Sequence, residues 1–348
     1  MIKVYIGTIL NFSYLPLLYP NLGFQEKKTL PFLSKAFKYL RGPYVKITDN
    51  PRNADFLLIP HNYFLIKDKK DYFGHFISLS ENTKKKIIIF AYGDSDEDIP
   101  IPNSIIFRTS QYRHKKQANE IIMPAYTEDL AADAQIILRN KKDKPVVGFC
   151  GWADLPNFKA KIKFYVKIFM VSIKKYLTLD TLKEVYKQGL YFRRKAIKAL
   201  EKNDLVKTNF IIRKSYSGHM NTIESDPLKI RQEFIENLQN SDFILVSKGD
   251  GNFSYRFYEA LSLARIPVLI DTETILPLEN IINYDNFILK VSYKDITKLD
   301  KIIADFYKKL YNEEFIEMQK KAREAFEKYL RIDSFFNYVF SNDLLYDI

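Results

Sequence analysis

The sequence predicts an α/β protein built from two Rossmann-like domains facing each other across a cleft. Three observations predict it. Short apolar runs alternate with amphipathic helical patterns along most of the chain, as buried parallel strands and their covering helices do. A charged run ending in proline, RNKKDKP at 139–145, separates two such alternating sets. The length of 348 residues with 47% apolar content is enough for two cores.

In the first set, VYIGTIL (4–10) reads as a strand and LPFLSKAFKYLRG (30–42) as an amphipathic helix. ADFLLIPH (54–61) is a buried strand, KDYFGHFISLSENTKK (70–85) a helix, KIIIFAYGD (86–94) a second buried strand and SIIFRTS (104–110) a third. After the linker, PVVGFCG opens the second set, and residues 157–202 carry two or three helices. VKTNFIIRKS (206–215) is a strand, PLKIRQEFIENLQNS (227–241) a helix and DFILVSK (242–248) a strand. YRFYEALSLARI (255–266) is a helix, PVLIDT (267–272) a strand, and residues 296–330 a long amphipathic helix running into YLRIDSFFNYVF. The expected boundaries are 1–140 for the N-terminal domain, 145–325 for the C-terminal domain and 326–348 for a helical tail, a candidate to return to the N-terminal domain.

Composition narrows the classes. The single cysteine, Cys150, excludes an intramolecular disulfide framework and points to a reducing compartment. The first twenty residues are apolar, but Asn11 and Ser13 interrupt them, no basic cluster precedes them and no small-residue cleavage site follows, so they read as a core strand rather than a leader. FYVKIFMVSI (164–173) is the other apolar stretch; Lys167 breaks it and it is too short to span a bilayer. The formal net charge of +12 invites an anionic partner, whether a phosphate-bearing substrate, a nucleic acid or an anionic lipid. Because the lysines are spread along the chain, a solvated basic surface accounts for the same balance.

The most informative stretch is SKGDGNFSYRFYEAL (247–261). Two of the chain's 11 glycines, Gly249 and Gly251, flank Asp250 between an apolar strand and a helix. Backbone N–H groups in such a turn, together with the helix N-terminus, favour an anion. Ser254 stands where it can cap the helix and donate to a phosphate. Arg256 in the first turn can fork onto diphosphate oxygens. Glu259, one turn on, is placed to accept hydrogen bonds from a pair of ribose hydroxyls. The turn lacks the Gly-Lys-Ser/Thr of a P-loop and the spacing of a dinucleotide fingerprint.

This stretch, extended to SDFILVSKGDGNFSYRFYEALSLARIPVLI, resembles the signature of the exostosin-like glycosyltransferases. Ser254, Arg256, Phe257, Glu259, Ala260, Ile266, Pro267 and Val268 match their pattern. Lys248 stands where the family usually has arginine and Ser247 where it has proline, so charge is kept at Lys248 but a bidentate fork is lost. NPRNADFLLIPHNYF (50–64), KIIIFAYGD, SIIFRTSQYRHKKQANEIIMPAY (104–126) and PVVGFCG are similar to further family stretches.

The resemblance implies a GT-B arrangement, a UDP-sugar donor held mainly by the C-terminal domain, a glycan or lipid-linked glycan acceptor, and inversion at the anomeric carbon. It implies Arg256 on the diphosphate, Glu259 on the ribose, and Lys248, Gly249, Gly251 and Ser254 in the phosphate-facing loop. Arg193 or Arg194, and Arg213 after the strand NFII, are further candidates for the donor's charge; as plain sequence each also reads as a surface arginine. An inverting reaction needs a base for the acceptor hydroxyl. Asp94 and His61 are the candidates, since each follows an apolar strand and so leaves a strand's carboxyl end. DSDED (94–98) offers Asp-x-Asp, which could chelate a divalent ion, but it lies in the other domain from the diphosphate motif and reads as a solvated acidic loop. No cofactor is expected, and no divalent metal is expected to be essential; His75, His114 and His219 show no ligand spacing.

The expected function is therefore sugar transfer, by a hexosyl- or uronosyl-transferase in surface polysaccharide or glycoconjugate synthesis. The expected location is the cytoplasm, with peripheral contact at the inner face of a membrane left open. Two alternatives stand beside it: a basic nucleic-acid-binding protein, although no helix-turn-helix, zinc or RNP-like pattern is visible, and a catalytically inactive carbohydrate-binding relative.

Overall fold

The structure, a computed structural model, describes residues 1–25, 35–132, 135–178, 181–215 and 226–346. It divides into two compact units. The first comprises Met1–Glu128, Thr274–Ile281 and Glu327–Ile348; the second comprises Asp129–Glu273 and Ile282–Phe326. Each is a parallel sheet with helices, so the α/β class and the two Rossmann-like domains are as the sequence predicts.

In the first unit, strands β1 (Lys3–Tyr5), β2 (Lys46–Ile47), β3 (Phe56–Asn62), β4 (Ile87–Ala91), β5 (Ser104–Arg108) and β6 (Glu120–Ile122) lie in the order β2-β1-β3-β4-β5-β6. All pairings are parallel. Every residue of β3, β4 and β5 is buried, which is why these strands read as continuous apolar runs. The pleat sends alternate residues to opposite faces. Ile87, Ile89 and Ala91 of β4 pack with Phe73 and Phe76 of helix α1 (Lys70–Thr83). Phe90, on the other face, meets Phe336 of the C-terminal helix with ring centroids 6.1 Å apart.

The second unit holds β7 (Val146–Trp152), β8 (Lys207–Arg213), β9 (Phe243–Val246), β10 (Ile266–Asp271) and β11 (Leu289–Ser292), ordered β11-β10-β9-β7-β8 and again all parallel. Its helices are α2 (Phe158–Thr178), α3 (Gly189–Leu200), α4 (Pro227–Gln239), α5 (Tyr255–Ser262), α6 (Leu299–Lys309) and α7 (Asn312–Ala325). Helix α4 starts where capping chemistry dictates: the Asp226 side chain accepts from the Leu228 N–H at 3.0 Å and Pro227 occupies the first turn. Helix α8 (Ile332–Ser341) belongs to the first unit, reached through a π-helical turn at Phe326–Leu330.

In both sheets the second strand lies on one side of the first and the third on the other. Strand order therefore reverses between β1 and β3 and between β7 and β9. Such switch points open a crevice at the strands' carboxyl ends, where α/β proteins bind ligands.

Several expectations are corrected. The 139–145 run is no linker, because it is strapped onto the second unit. Arg139 Nε donates to Asp242 at 2.5 Å, the Lys141 N–H to Asn312 at 2.8 Å and the Lys142 N–H to the Tyr307 hydroxyl at 2.6 Å. The division falls instead at Glu128/Asp129, and Asp129 is held by a two-pronged pair with Arg323 at 2.6 and 3.0 Å. The long helix at 296–330 breaks between α6 and α7, where Leu310 is extended. The first strand is only three residues long. Residues 30–34 of the helix read at 30–42, and His219, lie outside the described residues. The described end of that helix is a short 3-10 turn at Phe37–Tyr39.

Candidate functional site

The loop 247–254 leaves β9 at the second unit's switch point and is closed on itself, with the Gly249 N–H donating to the Phe253 carbonyl at 2.9 Å. Ser254 occupies the N-cap position of α5 with extended backbone (φ −148°, ψ 126°), but its side chain makes no capping bond. Gly249 and Gly251 do not adopt positive φ, so handedness is not their reason. The close approach comes from the neighbouring helix. A Cβ on Gly189, the first residue of α3, would lie 2.1 Å from the Lys248 carbonyl oxygen and 2.5 Å from that of Gly249. Only glycine lets α3 abut the loop backbone at that distance.

Three arginines from three different helices or strands converge on the last turns of β7. Arg256 Nη2 donates to the Cys150 carbonyl at 2.8 Å, and its guanidinium lies over the Phe149 ring at 4.3 Å. Arg213, the last residue of β8, donates to Glu233 at 2.7 Å and reaches Cys150 Sγ at 3.9 Å. Arg193 of α3 donates to the carbonyls of Trp152 at 3.0 Å and Lys248 at 3.1 Å and to Ser247 Oγ at 3.3 Å, stitching the ends of β7 and β9 together. Beside them Arg194 donates to Asp154 at 2.7 Å, which holds that carboxyl below the usual range. Gly151 is required twice over: its φ is +148°, and a Cβ there would lie 2.7 Å from Arg256 Nη2.

Glu259 is buried on α5 and paired with Arg231 of α4 at 2.7 Å. The Phe234 ring lies under both Arg231, at 5.2 Å, and Arg256, at 6.0 Å. The cluster so described sets five arginines (193, 194, 213, 231, 256) against three carboxylates (Asp154, Glu233, Glu259), a surplus of positive charge at a strand-end crevice. Burial pushes the Cys150 thiol above its usual range despite the pull of Arg213 and Arg256, so it stays a neutral thiol beside them at neutral pH.

Lys248 corrects an expectation. Its side chain is buried, donating to the Val185 carbonyl and lying 5.7 Å from the Phe192 ring centre. It ties the loop to the helical region rather than lining an anion site. Sequence reasoning missed Arg231, Glu233, Phe149 and Gly151. The first two read as solvated charges of an amphipathic helix, and no local signal marks them as partners of Glu259 and Arg213.

In the first unit, Asp94 follows β4 as expected and is exposed, its backbone carbonyl accepting from Ser110 Oγ at 3.2 Å. The 94–98 loop is held from beneath by buried Arg108, which donates to the carbonyls of Ser95 at 3.1 Å and Glu97 at 3.2 Å and pairs with buried Glu120. Two of the loop's four acids are matched with lysines: Asp96 with Lys115 at 2.7 Å and Glu97 with Lys67 at 3.1 Å. Among the described residues no group of three or more His, Cys, Asp or Glu could hold a metal ion.

His61 is not placed to act as a base. It is fully buried at the end of β3 and both ring nitrogens are committed, Nε2 accepting from the Leu10 N–H at 2.9 Å and Nδ1 donating to the Ser13 carbonyl at 3.0 Å. The ring fastens the loop after β1 across the first unit's switch point.

Residues 170–306 match the model of the Exostosin GT47 domain. This part of the chain is similar to an exostosin GT47 domain. The match spans α3, β8, α4, β9, α5, β10 and β11 and includes every cluster arginine and the 247–254 loop, while β7 precedes it. The exostosin resemblance read from 241–270 is thus borne out. The exostosin-1 homolog of Caenorhabditis elegans is 30% identical over 101 residues, 29% of this chain and 25% of that protein. A probable glycosyltransferase of Arabidopsis thaliana is 30% identical over 79 residues, 23% of this chain and 17% of that protein. The chain thus matches a quarter or less of the length of these two relatives. Among solved structures, that of TarM is similar with a TM-score of 0.32 and 12% identity, covering 74% of this chain and 55% of that one.

Proposed function

We propose that this exostosin-like chain is a glycosyltransferase that moves a hexosyl or uronosyl group from a UDP-sugar to a glycan or lipid-linked glycan acceptor, with inversion, in surface polysaccharide or glycoconjugate synthesis. The observation that carries the reading is the convergence of Arg193, Arg213 and Arg256 on Cys150–Trp152 at the switch point of the unit that matches the Exostosin GT47 model. A diphosphate is the ligand such a cluster suits, because guanidinium groups stabilise the charge that grows on it as the sugar leaves. Glu259 takes the ribose hydroxyls while Arg231 fixes its Oε1. The acceptor oxygen bonds to the anomeric carbon as the bond from that carbon to the diphosphate breaks, and Asp94 accepts the hydroxyl proton.

Calorimetric titration with UDP tests the donor site. Arg256→Ala loses charge-assisted bonds of about 1.5–3 kcal/mol, roughly a ten- to hundredfold weaker affinity. Unchanged affinity in the folded variant rejects the assignment. The reaction is proposed to run without a divalent ion, so product should form in excess EDTA. Loss there with rescue by Mn²⁺ would give Asp94 and Asp96 a ligand role instead.

A further inference from the structure

Helix α2 is held by one side only. Phe164 and Ile168 are buried with Leu155 and Leu190, and Trp152, Ala160 and Tyr191 pack against that cluster. Tyr165 lies near the Arg194 guanidinium of α3. The outer side is apolar and exposed: Phe158 is 75% exposed and Phe169 64%, with Ile162, Val166, Met170 and Ile173 beside them. At about 100° per residue these six fall within an arc of roughly 120° and run about 23 Å along the axis. Lys163 and Lys167 border one edge of that stripe and Lys161 the other, while Lys159 lies within it at the N-terminal end. The helix carries six lysines and no acidic residue. No described helix is long and apolar enough to cross a membrane.

We propose that α2 docks in the plane of an anionic lipid surface, its apolar stripe entering the acyl boundary and its lysines reaching the headgroups. An apolar face edged by lysine is the pattern of an interfacial helix, since lysine stems can lie along apolar surface while the ammonium stays at the phosphates. Charge selects this occupant over a second copy. Two α2 faces brought together would set lysines against lysines with no carboxylate on either helix to offset them. The formal charge of +12 adds long-range attraction to the same surface.

Flotation of the full chain with phosphatidylcholine vesicles, with and without phosphatidylglycerol, tests the proposal independently of any transfer activity. The chain should float with the anionic vesicles at low salt and detach at high salt. Replacing Lys159, Lys163 and Lys167 together by glutamate should lower partitioning roughly a hundredfold. Phe169→Asp with Met170→Asp should lower it tenfold or more, and both variants should keep the wild-type melting transition because the buried side of α2 is untouched. Failure of the wild-type chain to float with anionic vesicles overturns the proposal without any variant. So does flotation that Phe169→Asp with Met170→Asp leaves unchanged, or a wild-type dimer in sedimentation velocity that this pair dissolves.

Discussion

At the residue scale, the two first-unit candidates separate cleanly. His61 is a fastener whose neutral form the fold demands, because Nε2 must accept from Leu10. Burial lowers its pKa, only partly opposed by the Ser13 carbonyl. A base whose folded pKa is depressed contributes stability that is present above the unfolded value of about 6.5 and is lost as the pH falls through the folded value. Protonation would also set one N–H against another, leaving a buried donor unsatisfied at a cost of about 1–3 kcal/mol. The melting temperature should therefore drop as the pH is lowered below about 6, and His61→Gln should flatten that dependence; identical profiles would contradict the fastener role. Asp94 is the opposite case, exposed at the end of β4. Asp94→Asn should cut turnover by about 10²–10⁴-fold with UDP affinity unchanged, as an initial-rate assay beside the titration will read. A fully active variant would remove Asp94 from the mechanism.

At the element scale, the site depends on how closely backbone segments approach. Helix α3 meets the 248–249 backbone through Gly189, and Gly151, next to the last residue of β7, holds a φ of +148° that favours glycine. Gly189→Ala would drive a methyl carbon into two carbonyl oxygens, so α3 or the loop must move. Overpacking of this kind costs about 1–3 kcal/mol, a fall of several degrees in melting temperature together with weaker UDP binding. Gly151→Ala meets a flexible guanidinium instead, but its φ of +148° strains any side chain, so it should lower stability and also weaken UDP binding by displacing Arg256. Unchanged UDP binding in both folded variants would show that neither glycine is specific to the site.

At the scale of the whole molecule, the C-terminal segment is not an appendage. Phe335, Phe336, Val339 and Phe340 of α8 are buried in the first unit, with Phe340 stacked on Phe107 at 5.7 Å and Phe336 beside Tyr44 at 5.5 Å. Burying four such side chains contributes about 1.5–3 kcal/mol each, together of the order of a domain's entire stability. A chain ending at Phe326 should therefore leave the first unit without a closed core. Limited proteolysis should degrade residues 1–128 while the second unit survives, and a truncated chain with both units protected would contradict this account.

Sequence alone determined what local chemistry controls. Continuous apolar runs declared β3, β4, β5 and β9, because strands buried on both faces have no polar side to show. The spacing of Ser254, Arg256 and Glu259 declared a helix start, because helical periodicity acts over a few neighbours. Strands β2, β6 and β11 went unread because they are two to four residues long and rest on pairing with distant segments. The strapped run at 139–145 looked like a linker because its partners Asp242, Tyr307, Asn312 and Gln319 lie 100 or more residues away. The tertiary structure alone decided that Lys248 turns inward, that His61 is spent on a loop, and that Arg231 and Glu233 stand beside Glu259 and Arg213. Each of those outcomes is a matter of which charges and carbonyls the folded chain brings within hydrogen-bonding distance, and no local pattern encodes that.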